Sequence, residues 1–356
     1  MVDTPQRTGL GRESPVAATV VIPVHNSARE LARCLESLRR SDFTDYDCIV
    51  VDDASSEEVR AIVEAHRCGY LRLDRRGGAA RARNRGAAEA RGDILVFFDA
   101  DVCPRSDTLG RLVRHLRDRQ ECSAVMGAYD DDPGDPHLVS QFKNLFHHYV
   151  HGRSDPQAWT FWTGCGAVRR RGFEAVGGFD ESVRGIEDVE FGCRLAATGH
   201  RIDLDAGIQV KHLKRWTLVG LIRTDVFWRG VPWMLLLLRR REMPYDLNLQ
   251  AADRASVVLA CGLAPLFGLA AFGSGAARAV AAAAALAAVV ILFLLNRDLL
   301  RFFARKRGPA FACAAVPLLW LYYAYCGLAV AIAVPLHLWQ SARPAIGTRA
   351  GASGRR

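Results

Sequence analysis

The first hundred residues alternate short apolar runs with stretches of helical spacing. Thr19–Asn26 (TVVIPVHN), Asp47–Ser55 (DCIVVDDAS), Tyr70–Asp74 and Ile94–Pro104 (ILVFFDADVCP) are short and rich in Val, Ile and Phe. Each predicts a buried strand that ends in polar or acidic residues. Between them, Ala28–Arg40 carries Leu31, Leu35 and Leu38 on one helical face, and Ser56-Glu57-Glu58 starts a second helix. Gly77-Gly78 then turns into an Arg- and Ala-rich helix. Strands alternating with helices predict a mainly parallel sheet with crossover connections. The strand ends bring His25/Asn26, Asp52/Asp53 and Asp99/Asp101 to one sheet edge, where open α/β sheets bind ligands.

Beyond residue 130 the pattern changes. Asp130–Asp135 (DDDPGD) reads as an acidic loop. A helix after Pro136 carries His147, His148 and His151. The i,i+4 pair can bind metal, but no third ligand accompanies it, and a surface or interface role is expected. Phe161–Arg171 predicts a glycine-lined turn, a strand and a helix start. In GIEDVEFGCRLAATGH a helix ends at Gly199, with Glu187 and Asp188 in or just before its first turn. Ile208–Thr217 is a strand that carries His212. Trp216–Leu238 is aromatic-rich, with Arg223, Asp225 and Arg229 its only charges, and ends in Arg239-Arg240-Arg241. It reads as an amphipathic helix among lipid headgroups, anchored by tryptophans and arginines.

Uncharged stretches follow at 255–273, 279–295 and 310–340. Each approaches or exceeds the ~20 residues needed to span hydrocarbon. The loop Arg297–Arg307 has five basic residues against Asp298 alone, and is expected to face the cytoplasm. About three spans are expected, although three would leave the basic tail, Arg343–Arg356, on the far side.

At 356 residues the chain has room for two or three domains. Lys and Arg outnumber Asp and Glu by 47 to 38, and the charges near the apolar stretches are nearly all arginine. That pattern fits membrane flanks rather than nucleic-acid binding. Ten cysteines show no CxxC and no zinc spacing, so reduced cytosolic thiols are expected. MVDTPQRTGLGRESP has no apolar stretch, so no signal peptide is expected, and residues 1–17 read as a disordered tail.

The candidate chemistry centres on Asp99-Ala100-Asp101. Two adjacent carboxylates repel each other and stay ionised most readily beside a cation. Mg²⁺ or Mn²⁺ bridging a diphosphate is the simplest partner, with helix capping as the bland alternative. Gly77-Gly78, followed by Arg81, Arg83 and Arg85, is a phosphate neighbourhood but not a GxGxxG, which disfavours a dinucleotide fold. Glu187 and Asp188 either stabilise a helix dipole or present a carboxylate base.

VVIPVHN, VVDDAS, ARNRGAAEARGD and FFDAD, in this order, resemble the nucleotide-binding half of a GT-A glycosyltransferase of family 2. GCGAVRRRGFEAVGGFDES with GIEDVEFGCRL is similar to the acceptor half of that family. The resemblance implies that Asp53 contacts the base and that Asp101, with Asp99, holds the metal and ribose side of the diphosphate. It implies that Asp188 is the general base, and the helix dipole is expected to keep its pKa low. Many members carry a metal-binding histidine on the strand of His212. Others carry a Gln-x-x-Arg-Trp motif, whose Arg and Trp are Arg215 and Trp216 here, but His212 replaces the Gln. That departure disfavours polymer processivity.

The expected site is then Asp188 as catalyst, with Pro23, Asn26, Asp53, Arg83, Asp99 and Asp101 toward the donor. Gly164, Glu187, Arg215 and Trp216 line the acceptor side, and Asp99, Asp101 and His212 hold Mg²⁺ or Mn²⁺. The expected activity is inverting transfer from a nucleotide-sugar, a UDP-sugar first, to a lipid or glycan acceptor at the membrane, with no nucleic-acid partner. The alternatives are a processive polysaccharide synthase and a non-catalytic nucleotide-sugar-binding membrane protein. The expected layout is a GT-A domain over 18–215, divided at 104/105 into nucleotide-binding and acceptor halves. An interfacial helix over 216–245, transmembrane helices over 246–341 and a basic tail over 342–356 follow. Such a chain is expected to be a multi-pass protein of the inner (cytoplasmic) membrane, with its catalytic domain facing the cytoplasm.

Overall fold

The apolar runs of the first hundred residues fold as β1 (Ala18–Val24), β2 (Tyr46–Asp52), β3 (Gly69–Arg72) and β4 (Ile94–Phe98). Helices α1 (Ala28–Arg39), α2 (Arg60–Ala65) and α3 (Ala79–Glu89) connect them. The computed structural model describes residues 16–241 and 249–342. The expected tails, apart from residues 16, 17 and 342, and the end of the interfacial segment lie outside the described residues. All four strands pair in parallel, in the order β3-β2-β1-β4. α1 buries Leu31, Cys34, Leu35 and Leu38 from one face. α3 is Ala-rich and lies tight on the sheet at Gly86, where a Cβ would come within 2.4 Å of Val21.

Ile94–Pro104 is not one strand. The chain turns at Asp99–Asp101 and resumes as the short β5 (Val102–Pro104). Then come α4 (Thr108–Asp118), β6 (Cys122–Tyr129), α5 (Leu138–Arg153), β7 (Gln157–Ala158), β8 (Cys165–Arg169), α6 (Arg170–Ala175), α7 (Glu187–Ala197) and β9 (Arg201–His212). β8 is inserted antiparallel between β4 and β6, and β6 runs parallel to β9, with β5 antiparallel at the edge. The sheet is thus purely parallel in its first half and mixed in its second. Both faces are covered. Ile22, Val50 and Val96 point into one core layer, and Val21, Val51, Leu95 and Phe97 into the other. In the second layer Phe97 meets Phe179 edge-on at 5.2 Å, and Phe179 meets Phe191 of α7 at 4.9 Å. This aromatic cluster fixes the start of α7 against the sheet.

After β9, α8 (Leu218–Arg223), a π-helical turn (Thr224–Gly230) and α9 (Val231–Arg240) form one helical run. α10 (Ala251–Phe272), α11 (Gly275–Leu295), α12 (Arg297–Arg307) and α13 (Pro309–Ala342) complete the described chain. α10, α11 and α13 are long and apolar enough to cross a membrane, and coincide with the uncharged stretches. They leave large apolar side chains exposed, among them Val258, Phe272, Leu286 and Leu338.

Arg297–Arg307 is a helix rather than a loop, because Leu299, Phe302 and Phe303 form a buried face. Phe303 packs on Phe142 of α5 at 5.9 Å. The basic end of α12 docks on the acidic loop: Lys306 pairs with Asp131, and Arg307 donates to the Asp131 carbonyl at 2.9 Å. DDDPGD is therefore the seat of a helix.

Candidate active site

The turn after β4 is placed by the pairing of β5 with β9, which sets Val102 opposite His212. Leu213 N–H closes on the Asp101 carbonyl at 2.8 Å. Asp101 Oδ2 consequently lies 3.7 Å from His212 Nε2. The His212 ring stacks on Tyr129 at the end of β6, 4.2 Å between centroids. Burial pulls the Asp101 carboxyl upward, but His212 and Lys214 outweigh it and leave the pKa below the usual value. A small cavity of about 50 Å³ opens here, lined by Asp99, Asp101, Tyr129, Lys143, His147, His212, Lys214, Trp216 and Arg229. A wider cavity of about 780 Å³ opens beside α1 and β5 and takes none of the predicted residues.

Arg83 belongs to the centre of the site. Buried on α3, it donates to Asp99 Oδ1 at 2.6 Å and to Glu187 Oε1 at 2.9 Å. Its Nε has no partner among the described residues. Burial disfavours the charge, but Asp99, Glu187 and Asp188 hold the guanidinium protonated. Glu187 and Asp188 open α7, as expected. Asp188 Oδ2 accepts from both Thr163 N–H and Thr163 Oγ1 at 3.3 Å. Gly164 permits the turn that brings Thr163 there, since a Cβ on it would stand 2.3 Å from the Trp162 ring. The expected low pKa of Asp188 is overturned. Burial and the neighbouring Glu187 push it up to about 6, against the pull of Arg83 and of the Thr163 N–H.

The residues expected toward the donor gather at the adjoining strand ends. Both Asp53 carboxylate oxygens are occupied, by Gly77 N–H at 2.6 Å and Gly78 N–H at 2.8 Å. Asp53 thus builds the glycine turn, using two of the roughly four lone-pair sites of its carboxylate. Asn26, at a left-handed φ of 50°, accepts from Ser56 N–H at 2.8 Å. Pro23 lies in β1 opposite Val51.

Arg215 is not brought into the cavity. It is exposed, 3.4 Å from His137 Nε2, and the lining position falls to Lys214, whose Nζ sits 4.3 Å over the Trp216 ring. Trp216 is buried, its backbone N–H donating to Ser140 Oγ at 2.8 Å.

The histidines of α5 are not a surface cluster. His147 lines the cavity with a pKa well below the usual value, through burial and then Lys143. His151 is buried behind it and pushed down to about 4. Sequence reasoning does not place Tyr129, Lys143, His147 or Arg229 at the site. Two of them carry a signal all the same: Arg229 is a rare charge in an apolar segment, and Lys143 stands four residues before His147.

Residues 19–177 match glycosyl transferase family 2. The chain is 32% identical over 222 residues to the pre-mycofactocin glycosyltransferase of Mycobacterium tuberculosis, which is 60% of this chain and 46% of that protein. It is 26% identical over 191 residues to an uncharacterized glycosyltransferase of Haemophilus influenzae, which is 50% of this chain and 61% of that protein. The chain thus spans about half the length of these curated relatives. The structure of a mannosyltransferase from Pyrobaculum calidifontis in complex with GDP-Man and Mn²⁺ superposes with a TM-score of 0.61 at 21% identity. That likeness covers 92% of this chain and 88% of the other, and shows a shared fold. Residues 19–177, then, carry a glycosyl transferase family 2 domain, built on the GT-A fold.

Proposed function

We propose that the chain is an inverting, divalent-metal-dependent glycosyltransferase of the cytoplasmic membrane. It moves a sugar from a nucleoside diphosphate sugar to a lipid or glycan acceptor at the membrane surface. The observation that carries this reading is the bridge Asp99–Arg83–Glu187. It joins a metal-type carboxylate turn to the helix start that presents Asp188.

The residues fit a hard cation. The Asp101 carboxylate and His212 Nε2 face each other at 3.7 Å, too far for a hydrogen bond and right in type for oxygen and nitrogen ligands. Asp101 and His212, with Asp99, would hold Mg²⁺ or Mn²⁺, which neutralises charge on a leaving diphosphate. Arg83 turns one Asp99 oxygen away from repulsion with Asp101. Thr163 holds the Asp188 carboxylate, and a pKa of about 6 lets it stay ionised at neutral pH while remaining a competent base. It takes the proton of the acceptor hydroxyl as that oxygen attacks the anomeric carbon in line, which inverts the configuration. Trp216 and His147 wall the cavity.

The anchor is supported by the exposed apolar faces of α10, α11 and α13, and by Val219, Phe227 and Trp228 before them. Lys306 and Arg307, bound to the acidic loop, put the basic α12 on the same side as the catalytic domain, which the positive-inside rule makes the cytoplasm.

The test is turnover of a panel of UDP- and GDP-sugars by the full chain in detergent with Mn²⁺, with and without added lipid. Transfer or hydrolysis of one donor, lost on Asp188→Asn, is the expected result. No binding or turnover of any nucleotide-sugar overturns the reading.

A further inference from the structure

Two of the three charges in Trp216–Leu238, Asp225 and Arg229, lie in a segment whose composition reads as an interfacial helix among lipid headgroups. The structure turns both inward. Thr224–Gly230 is π-helical, a wider turn that is often found at functional positions. Asp225 is buried, and its Oδ2 accepts from Lys143 Nζ of α5 and from the Tyr325 hydroxyl of α13, each at 2.6 Å.

The turn is seated on two further sides. A Cβ on Gly230 would lie 2.9 Å from Ala329 of α13. A Cβ on Gly185, in the loop that leads to Glu187 and Asp188, would stand 2.2 Å from the Trp228 carbonyl oxygen. Gly185 also has a φ of 81°, so only glycine fits easily there.

Arg229 comes from this pinned turn into the cavity of Asp99 and Asp101. Among the described residues it makes no hydrogen bond and no ion pair. A partly buried guanidinium without a partner is a binding group waiting for an anion.

We infer that Arg229 binds the diphosphate of the donor and holds it as it leaves. The Lys143–Asp225–Tyr325 network is the device that positions Arg229, so the last membrane helix sets the geometry of the catalytic pocket. This inference rests on the donor being a nucleoside diphosphate sugar.

The experiment uses the full chain in detergent with Mn²⁺. Affinities for UDP, GDP, UMP and GMP are measured by calorimetry. Arg229→Ala is expected to weaken the preferred diphosphate about ten- to a hundredfold, the loss of a charge-assisted hydrogen bond, and to affect its monophosphate much less. Arg229→Lys recovers part of the loss. Tyr325→Phe lowers diphosphate affinity about three- to tenfold with the same selectivity, while Mn²⁺ binding is unchanged.

Equal diphosphate affinity in the wild type and Arg229→Ala overturns the assignment. An equal loss for mono- and diphosphate also overturns it, since a structural role predicts that. Selective loss in Arg229→Ala without any in Tyr325→Phe removes the coupling to α13. If the wild type binds neither nucleotide, the transferase reading itself fails first, a distinct outcome from the others.

Discussion

Arg83 reaches Glu187 across 104 positions of sequence, at 2.9 Å, while its other terminal nitrogen holds Asp99 at 2.6 Å. This one side chain connects α3, on the parallel half of the sheet, to the turn after β4 and the start of α7. Arg83→Met keeps the stem and removes the charge. It leaves Asp99, Glu187 and Asp188 facing one another without a cation, which predicts a destabilisation of about 3–5 kcal/mol and the loss of most transfer. Urea unfolding and a transfer assay check both; a variant near wild type in both would remove Arg83 from the centre of the site.

Asp188→Asn separates function from stability. Transfer is expected to fall at least ~10²-fold with diphosphate binding intact. The carboxyl has a pKa of about 6 when folded, above its ordinary value of 3.8. The metal-free folded state therefore holds this proton more tightly than the unfolded state. That contribution to stability is complete at pH below 3.8 and lost as pH rises through about 6. At neutral pH the charged group opposes folding, and Asn is expected to stabilise the apo protein by up to ~3 kcal/mol, with little difference at pH 4. Thermal melts of both proteins at the two pH values decide this.

The same group sets a pH profile. With Asp188 as base, kcat/KM is expected to rise with pH through about 6 and then level off. A profile flat from pH 5 to 8 would move the base elsewhere, Glu187 being next in line.

Asp101→Ala is expected to abolish Mn²⁺ binding and donor turnover in a folded protein. EDTA should silence the wild type in the same way. Full activity in EDTA sinks the metal assignment.

Asp53→Ala removes the acceptor of two backbone N–H groups, at Gly77 and Gly78. The expected result is a loss of about 1–3 kcal/mol in stability and weaker donor binding, because the glycine turn is released. Hydrogen exchange at Gly77 and Gly78 should accelerate. If affinity falls with exchange unchanged, Asp53 acts on the ligand directly.

The parallel strands, the Asp99–Asp101 turn, the acidic start of α7 and the three apolar helices are legible in the sequence because each is a local pattern with strong periodicity or composition. β6 is not, since CSAVMGAY is buried at every position and built of small residues, and so has no alternation to read. The strand expected at Ile208 begins at Arg201, because β6 and β7 pair with its polar first half. Arg215 and Lys214 exchange places because the strand ends at His212, and residues 213–217 are coil, whose side-chain parity no sequence rule supplies. The sequence does not decide between a surface and an interface place for His151, because α5 is covered by elements from two distant regions, the sheet and the C-terminal helices. Asp225 and Arg229 face inward because the π-turn alters the angular spacing on which an amphipathic reading depends.

The docking of α12 on the acidic loop adds to the other ties between the catalytic domain and the C-terminal helices: the run from β9 into α8, the Phe142–Phe303 contact and the Lys143–Asp225–Tyr325 network. A head held by one strap can nod; a head held at several points behaves as a gauge of fixed height. With the spans in a bilayer, a head so held keeps its cavity mouth at one distance from the lipid surface, which under the proposed function makes the height of an acceptor hydroxyl above that plane a criterion of selection.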